Sequence, residues 1–170
     1  MNRNRIAVSL VVLLAALAAH PAQAQSGTQQ SFDSIKALAG SWEGKTQMSD
    51  PVQVSFRLTA GGSAVMSEIV SHMNGKSEDM ITMFNMDGDR LLLTHYCAAG
   101  NQPRMQASTS EDGKTITFDF LDATNLSSPE AGHMHRVVFT FLDANHHTEA
   151  WQFSDHGKEI IENFDLKKKG

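Results

Sequence analysis

The chain has 170 residues, 14 of them basic and 19 acidic, with a formal net charge of −5 and one cysteine. One cysteine excludes an intramolecular disulfide, and an acidic chain with scattered basic residues argues against nucleic acid as a partner. The length fits one domain with its own hydrophobic core.

The N-terminus, residues 1–24, has the order of a secretory signal peptide. Arg3 and Arg5 precede a charge-free run over 6–19, and an Ala-Gln-Ala sequence then gives the small-x-small pattern of a cleavage site. That run is shorter than the about 20 apolar residues of a membrane-spanning helix. We therefore expect cleavage near Ala24, a periplasmic or secreted protein of charge −7, and no membrane span after cleavage.

The next segment, residues 25–30, is polar and has no periodicity, which predicts a short flexible leader before a single domain over 31–170. Ser31 then offers an N-cap, apolar residues follow at three-residue spacing, and Gly40 provides a stop. This pattern predicts one short amphipathic helix.

After Gly40 the pattern changes to short strands that alternate between apolar and polar residues and are separated by turns. Asp87-Gly88 and Asp112-Gly113 are typical of tight hairpins. Ten candidate strands predict an all-β fold, a closed antiparallel up-and-down β-barrel of about 8–10 strands, with a β-sandwich as the alternative. The longest loop, 122–132, is a candidate to cover one mouth of the barrel. The candidate strands cover 42–48, 52–58, 64–71, 80–85, 90–98, 104–108, 115–121, 133–142, 147–153 and 159–166.

The segment Leu-Ala-Gly-Ser-Trp-Glu-Gly at 38–44 resembles the entry motif of lipocalins and related calycin barrels. In those families the tryptophan plugs the closed end of the barrel beneath a basic side chain from near the last strand. The resemblance implies this role for Trp42, with Lys167 or Lys168 above it. A Thr-Asp-Tyr type motif, the other lipocalin signature, is absent.

Several segments also resemble a group of exported bacterial lipocalin-like proteins of the DUF1579 type. These proteins have no assigned function, so the resemblance implies an exported barrel and no particular activity. The matching segments are 61–64, 86–90, 93–97, 101–105 and 133–135.

Two pairs of residues are candidates for a metal site. His95 and Cys97 share one strand face, as do His133 and His135, and each pair extends an apolar stripe that predicts an inward direction. Gathered inside one end of the barrel, the four side chains would suit zinc or copper. The alternative is a hydrogen-bonded polar patch with an inert buried thiol. The methionines that would complete a copper site are Met66, Met80 and Met105.

The same patch is a candidate for binding an organic ligand, and this is the function we expect first. Arg104 follows a proline, where its guanidinium would meet a ligand carboxylate. A plain surface arginine is the alternative. The predicted ligand-binding residues are His95, Arg104, His133, His135, Glu68 and Gln106, with Glu149 as a further polar partner.

Haem is a less favoured cofactor. The small barrels of the nitrobindin family also open with Gly-x-Trp and carry an axial histidine late in the chain, a resemblance that implies His147 as the only candidate on a strand. The chain has no nucleophile elbow, phosphate-binding glycine loop or His-Glu-x-x-His motif. We therefore expect a binding protein rather than an enzyme, with a solid structural barrel of the envelope as another alternative. The ligand and the oligomeric state are left open.

Overall fold

The computed structural model describes residues 27–73 and 76–170. The predicted signal peptide over 1–24 lies outside these residues and stays a prediction. Within the described part of the chain, no helix is both long enough and apolar enough to cross a membrane.

One α-helix, one short 3₁₀ helix (Ala60–Gly62) and ten strands form the described fold. Every strand pairs antiparallel with the next in sequence, and β1 pairs with β10, so the sheet closes into a barrel. The predicted up-and-down barrel is therefore confirmed, and the β-sandwich alternative is wrong. The elements are α1 (Gly27–Ala37), β1 (Gly40–Thr46), β2 (Pro51–Thr59), β3 (Ala64–Met73), β4 (Lys76–Asp87), β5 (Arg90–Tyr96), β6 (Gln102–Thr109), β7 (Thr115–Thr124), β8 (His133–Asp143), β9 (His146–Asp155) and β10 (Lys158–Lys168).

The helix α1 begins at Gly27, four residues earlier than predicted, so the expectation of a flexible leader is wrong for residues 27–30. Ser31 lies inside the helix and is not its cap. Its hydroxyl donates to the Gly27 carbonyl at 3.0 Å and lies 2.6 Å from the hydroxyl of Thr109 on β6. This hydrogen bond to the barrel stabilises the first turn of α1, which the polar composition of residues 27–30 did not predict.

Strand β4 also begins earlier than predicted, at Lys76 and not at residue 80. Its first residues pair only with β3, because the pairing with β5 starts at Ile81. The β3–β4 hairpin therefore projects beyond the neighbouring strand. A projecting hairpin buries little, which explains why residues 76–79 lack the apolar alternation used to predict strands.

One end of the barrel is closed by α1 and by Trp42 of β1. Phe32 and Ile35 of the helix are buried in the barrel core. The Trp42 indole N–H donates to the carbonyl of Leu38 at 2.7 Å, and the Lys168 ammonium lies 5.5 Å from the centre of the indole ring. The basic side chain predicted to lie over this tryptophan is thus Lys168.

The middle of the barrel is filled by aromatic side chains. The rings of Phe84, Phe118 and Phe139 lie edge to face with centroids 5.6 to 6.0 Å apart. All three are fully buried. Edge-to-face packing of this kind fills the centre of the barrel and leaves no channel through it.

At the end of the barrel away from α1, the β7–β8 loop is attached to the β5–β6 connection. The Asn125 amide donates to the Gly100 carbonyl at 2.6 Å, and the Asn101 amide donates to the Gly132 carbonyl at 2.8 Å. The loop over 122–132 that was a candidate to cover one mouth therefore lies at that end of the barrel, but its first three residues belong to β7 and it stands to one side of the opening. The two amide bonds hold it beside the mouth.

The barrel closes where β1 meets β10, and Gly44 lies at the closest approach of these strands. Gly44 is opposite Leu166, and a Cβ atom added to Gly44 would lie 1.8 Å from the backbone carbonyl oxygen of Asp165. Backbone atoms cannot move aside as the end of a flexible side chain can. Only glycine fits this seam.

We expect Gly44→Ala to lower the free energy of unfolding by about 3 kcal/mol or more, because the methyl group forces the closing strands apart. Urea unfolding followed by circular dichroism measures this change. Gly27→Ala is the matched control, since an added Cβ there meets nothing within 4 Å. Equal stability of the two variants would contradict the proposed seam constraint.

Candidate functional site

A cavity of about 370 Å³ opens at the end of the barrel away from α1. Its lining is largely apolar and combines two aromatic rings, two methionines and an isoleucine with two carboxylates and one thiol. The lining residues come from β4, β8, β9 and β10 and from the segment that follows β5. They are Glu78, Met80, Cys97, Ala98, Ala99, Met134, Trp151, Phe153, Ile160 and Glu162.

His95 points into the barrel, as its strand alternation predicts, and is 0 % exposed. Its ring centre lies 4.8 Å from that of Trp151, and its Nδ1 lies 2.9 Å from the Thr82 hydroxyl. Its Nε2 has no hydrogen-bond partner among the described residues. Burial lowers the pKa of His95 to about 4, so the ring is neutral at pH 7.

Cys97 lines the cavity two residues further along the chain. Burial raises the pKa of its thiol, a hydrogen bond with the backbone of Ala99 acts in the opposite direction, and the charge of Glu78 raises the pKa again. A thiol with a raised pKa stays protonated at neutral pH and is a poor nucleophile and a poor metal ligand.

Strand β8 has a bulge between Met134 and Arg136, and the bulge changes which side chains face inward. Met134 pairs with Phe153, whereas Arg136 pairs with the residue immediately before Phe153. The extra residue in β8 offsets the alternation at this point. As a result Met134 lines the cavity, and His133 and His135 do not.

The two β8 histidines have other neighbours. His133 places Nδ1 2.7 Å from the Ala131 carbonyl, and its ring packs 4.8 Å from that of Phe120. His135 places Nε2 3.4 Å from a carboxylate oxygen of Glu159, which is exposed. The expectation that both histidines continue the inward stripe of β8 is therefore wrong, because that stripe is interrupted by the bulge.

The predicted zinc or copper ligands are not assembled. Among the described residues no group of three or more His, Cys, Asp or Glu side chains is placed to hold a metal ion. Of the methionines considered for copper, Met66 contacts the guanidinium of Arg57 and Met105 is fully buried in the core. Met80 lies in the cavity lining with Cys97.

The other predicted ligand-binding residues lie outside the cavity. Arg104 is exposed, and its Nε donates to a carboxylate oxygen of Asp122 at 2.6 Å. It is therefore a surface arginine, the alternative to a ligand-binding role. Glu68 and Gln106 are exposed as well. Glu68 borders a shallow outer groove of about 200 Å³, together with Glu43. None of these side chains is placed to meet a molecule in the cavity.

A buried polar cluster on β9 connects the cavity to the closed end of the barrel. His147, Glu149 and Trp151 are spaced two residues apart and share the inner face. One Glu149 oxygen lies 3.0 Å from His147 Nε2, and the other accepts the Trp151 indole N–H at 2.8 Å. The sequence signal for this cluster is the alternation itself, which places a carboxylate between two rings on an inward row.

His147 does not fit haem. It is fully buried, its Nε2 is engaged by Glu149, and its ring packs against Trp42 with centroids 4.4 Å apart. It is also absent from the cavity lining. Its other ring nitrogen, Nδ1, has no hydrogen-bond partner among the described residues, but it is fully buried and does not face the cavity, so the implied role of His147 as an axial ligand is not supported.

The sequence matches no known protein-family model, and no curated protein matches it. The resemblances to lipocalins and to DUF1579-type proteins stay predictions. The site is therefore described by its geometry alone. It is an apolar cavity lined by Trp151, whose indole N–H donates a hydrogen bond to the buried carboxylate of Glu149.

The pKa of His95 predicts a loss of stability in acid. The unfolded chain, with a histidine pKa of 6.5, takes up a proton before the folded chain does, so stability is full above pH 6.5 and falls as the pH drops towards 4. We expect about 2 kcal/mol less from this residue at pH 5 than at pH 8. Urea unfolding of wild type and His95→Gln measures it. Equal acid sensitivity of the two proteins would contradict the prediction.

Removal of the central carboxylate tests the β9 cluster. We expect Glu149→Ala to lower the free energy of unfolding by about 3 kcal/mol, since it leaves the His147 and Trp151 nitrogens buried without a partner. Glu68→Ala, which removes an exposed carboxylate, is expected to change it by less than about 0.5 kcal/mol. Thermal and urea unfolding compare the two. A small effect of Glu149→Ala would show that the cluster contributes little to stability.

Proposed function

We propose that this protein is an exported β-barrel that binds a small, partly apolar molecule in the cavity at its open end. The observation that carries the proposal is the cavity itself, about 370 Å³ in volume and lined mainly by apolar and aromatic side chains. Ligand pockets in proteins begin at about 300 Å³ and are mostly apolar with a few polar groups. The cavity meets both conditions.

Other depressions on the barrel have similar volumes but a different lining. One lies between α1 and the β6–β7 turn and measures about 350 Å³, and another lies beside the end of β1 and the middle of β10 and measures about 330 Å³. Hydroxyl, amide and charged side chains line most of both. A partly apolar molecule would bury little apolar surface there, so the cavity at the open end is the favoured site.

The chemistry of the cavity favours binding over catalysis. Its nucleophile is Cys97, whose thiol is protonated at neutral pH. The nearest histidine in sequence, His95 on β5, is neutral and engages Thr82 through Nδ1. A nucleophilic cysteine needs a base directed at its sulfur, and this pair supplies none.

Export is the second part of the proposal and rests on the signal-type sequence over 1–24. An exported barrel meets its ligand outside the cytoplasm, in the periplasm or the medium. The unpaired thiol of Cys97 agrees with that setting, because partial burial and a raised pKa both protect a thiol from oxidation.

A neutral fluorescent probe, N-phenyl-1-naphthylamine, tests the proposal. We expect saturable binding with enhanced probe fluorescence and quenching of Trp151, the tryptophan that lines the cavity. A Trp42→Phe background removes the signal of the other tryptophan, at the closed end of the barrel. Binding is read from both the probe and the protein.

Two variants locate the binding. Ala99→Phe places a ring in the cavity and is expected to weaken probe binding at least about tenfold, a change of about 1.4 kcal/mol. Leu142→Phe adds a ring at an exposed position near the closed end and should leave binding unchanged. Absence of saturable binding, or equal binding by both variants, would overturn the proposed function.

A further inference from the structure

The polar groups of the cavity are acidic. Glu78 and Glu162 line it, and no Lys, Arg or His is among the described residues that do so. The two glutamates occupy β4 and β10, which β1, β2 and β3 separate around the barrel. They therefore approach the cavity from different sides of its rim.

Each glutamate occupies a position in an inward row where an apolar residue would be expected. Glu78 stands two residues before Met80 on β4, and Glu162 stands between Ile160 and Phe164 on β10. A charged side chain in such a row costs desolvation energy unless a partner compensates it. Packing alone therefore does not explain why these two glutamates lie at the rim of the cavity.

Among the described residues, no basic side chain contributes to the pKa of Glu162. Burial is the main influence and raises the pKa of its carboxyl group, the Thr46 hydroxyl lowers it, and the charge of Asp50 raises it again. The nearest charged influence is thus another acid. A cation placed in the cavity would relieve this repulsion.

Two arginines, on β6 and β8, are paired with carboxylates on the outer surface. Arg104 is bonded to Asp122, and Arg136 lies 3.2 Å from a carboxylate oxygen of Asp119. The cavity also contains the rings of Trp151 and Phe153. Aromatic rings attract cations through their negative faces, so rings and carboxylates act in the same direction.

We propose that the cavity selects a cationic amphiphile, a molecule with a protonated amine at the rim carboxylates of Glu78 and Glu162 and an apolar body against Trp151 and Phe153. This inference rests on the proposed function and adds the charge of the ligand. It also reverses the sequence-based expectation, in which the guanidinium of Arg104 would meet a ligand carboxylate. Fatty acids and other apolar anions are excluded by the same carboxylates.

Three naphthalene probes of similar size test the charge preference at pH 7: 1-naphthylmethylamine, 1-naphthalenemethanol and 1-naphthoate. Isothermal titration calorimetry measures each dissociation constant. We expect the ammonium to bind about tenfold more tightly than the alcohol, and the carboxylate to bind most weakly. High salt should reduce the difference between ammonium and alcohol, because it screens the rim charges.

Isosteric variants assign the preference to the two glutamates. Glu78→Gln combined with Glu162→Gln is expected to bring the ammonium to the affinity of the alcohol while the affinity of the alcohol itself stays constant. Glu111→Gln removes an exposed charge at the β6–β7 turn, near the opposite end of the barrel, and should preserve the preference.

The outcomes separate this inference from the proposed function. If none of the three probes binds, the ligand-binding function itself is overturned. If the alcohol binds as well as the ammonium to the wild-type protein, the function stands and the charge preference is overturned. An equal loss of alcohol and ammonium binding in the double variant also overturns it, because the carboxylates would then only shape the cavity.

Discussion

The seam between β1 and β10 is the contact on which the rest of the barrel depends. The first and last strands of the described fold must pair for the sheet to have no free edge. At Gly44 the two backbones are so close that a Cβ atom on Gly44 would overlap the carbonyl oxygen of Asp165. Two residues earlier on β1, Trp42 plugs the barrel, and the ammonium group of Lys168 on β10 lies over the indole ring. The same short segment therefore closes the sheet laterally and closes one end.

Closure at one end determines where a small molecule has access. The helix and Trp42 fill the first end, and the phenylalanine rings fill the middle, so the cavity is a chamber at the mouth and not a tunnel. Its walls come from β4 and the segment after β5 on one side and from β8, β9 and β10 on the other. Its polarity is consequently set by single inward residues on separate strands, and two glutamates are enough to make it acidic.

The fold was predictable from sequence because alternation and turn residues are local signals. Ten strands, the Asp-Gly hairpins and the role of the tryptophan in the entry motif all follow from short segments. The boundaries of α1 and β4 were misplaced where polar residues form regular structure through one distant contact, as Ser31 does with Thr109. Local composition carries no trace of such a contact.

The site was predictable only in part, and the bulge in β8 explains most of the difference. Strict alternation assigned His133 and His135 to the interior, but one unpaired residue reverses the faces, and no turn residue in the sequence marks it. His95 lies on the regular strand β5, and its inward direction was predicted correctly; Cys97 lies just after the end of β5 and lines the cavity. Glu78 and Glu162 were missed because charged residues are ordinarily assigned to the surface.

Trp151 belongs to both the cavity and the buried β9 cluster, and this shared position has a consequence for how the protein meets its ligand. The indole N–H of Trp151 donates a hydrogen bond to Glu149, and the ring of His95 packs against the indole. The ring is therefore fixed before any ligand arrives, and its rotational entropy is lost during folding and not during association. A molecule that enters the chamber meets a rigid wall, so discrimination among ligands of similar charge will follow their shape.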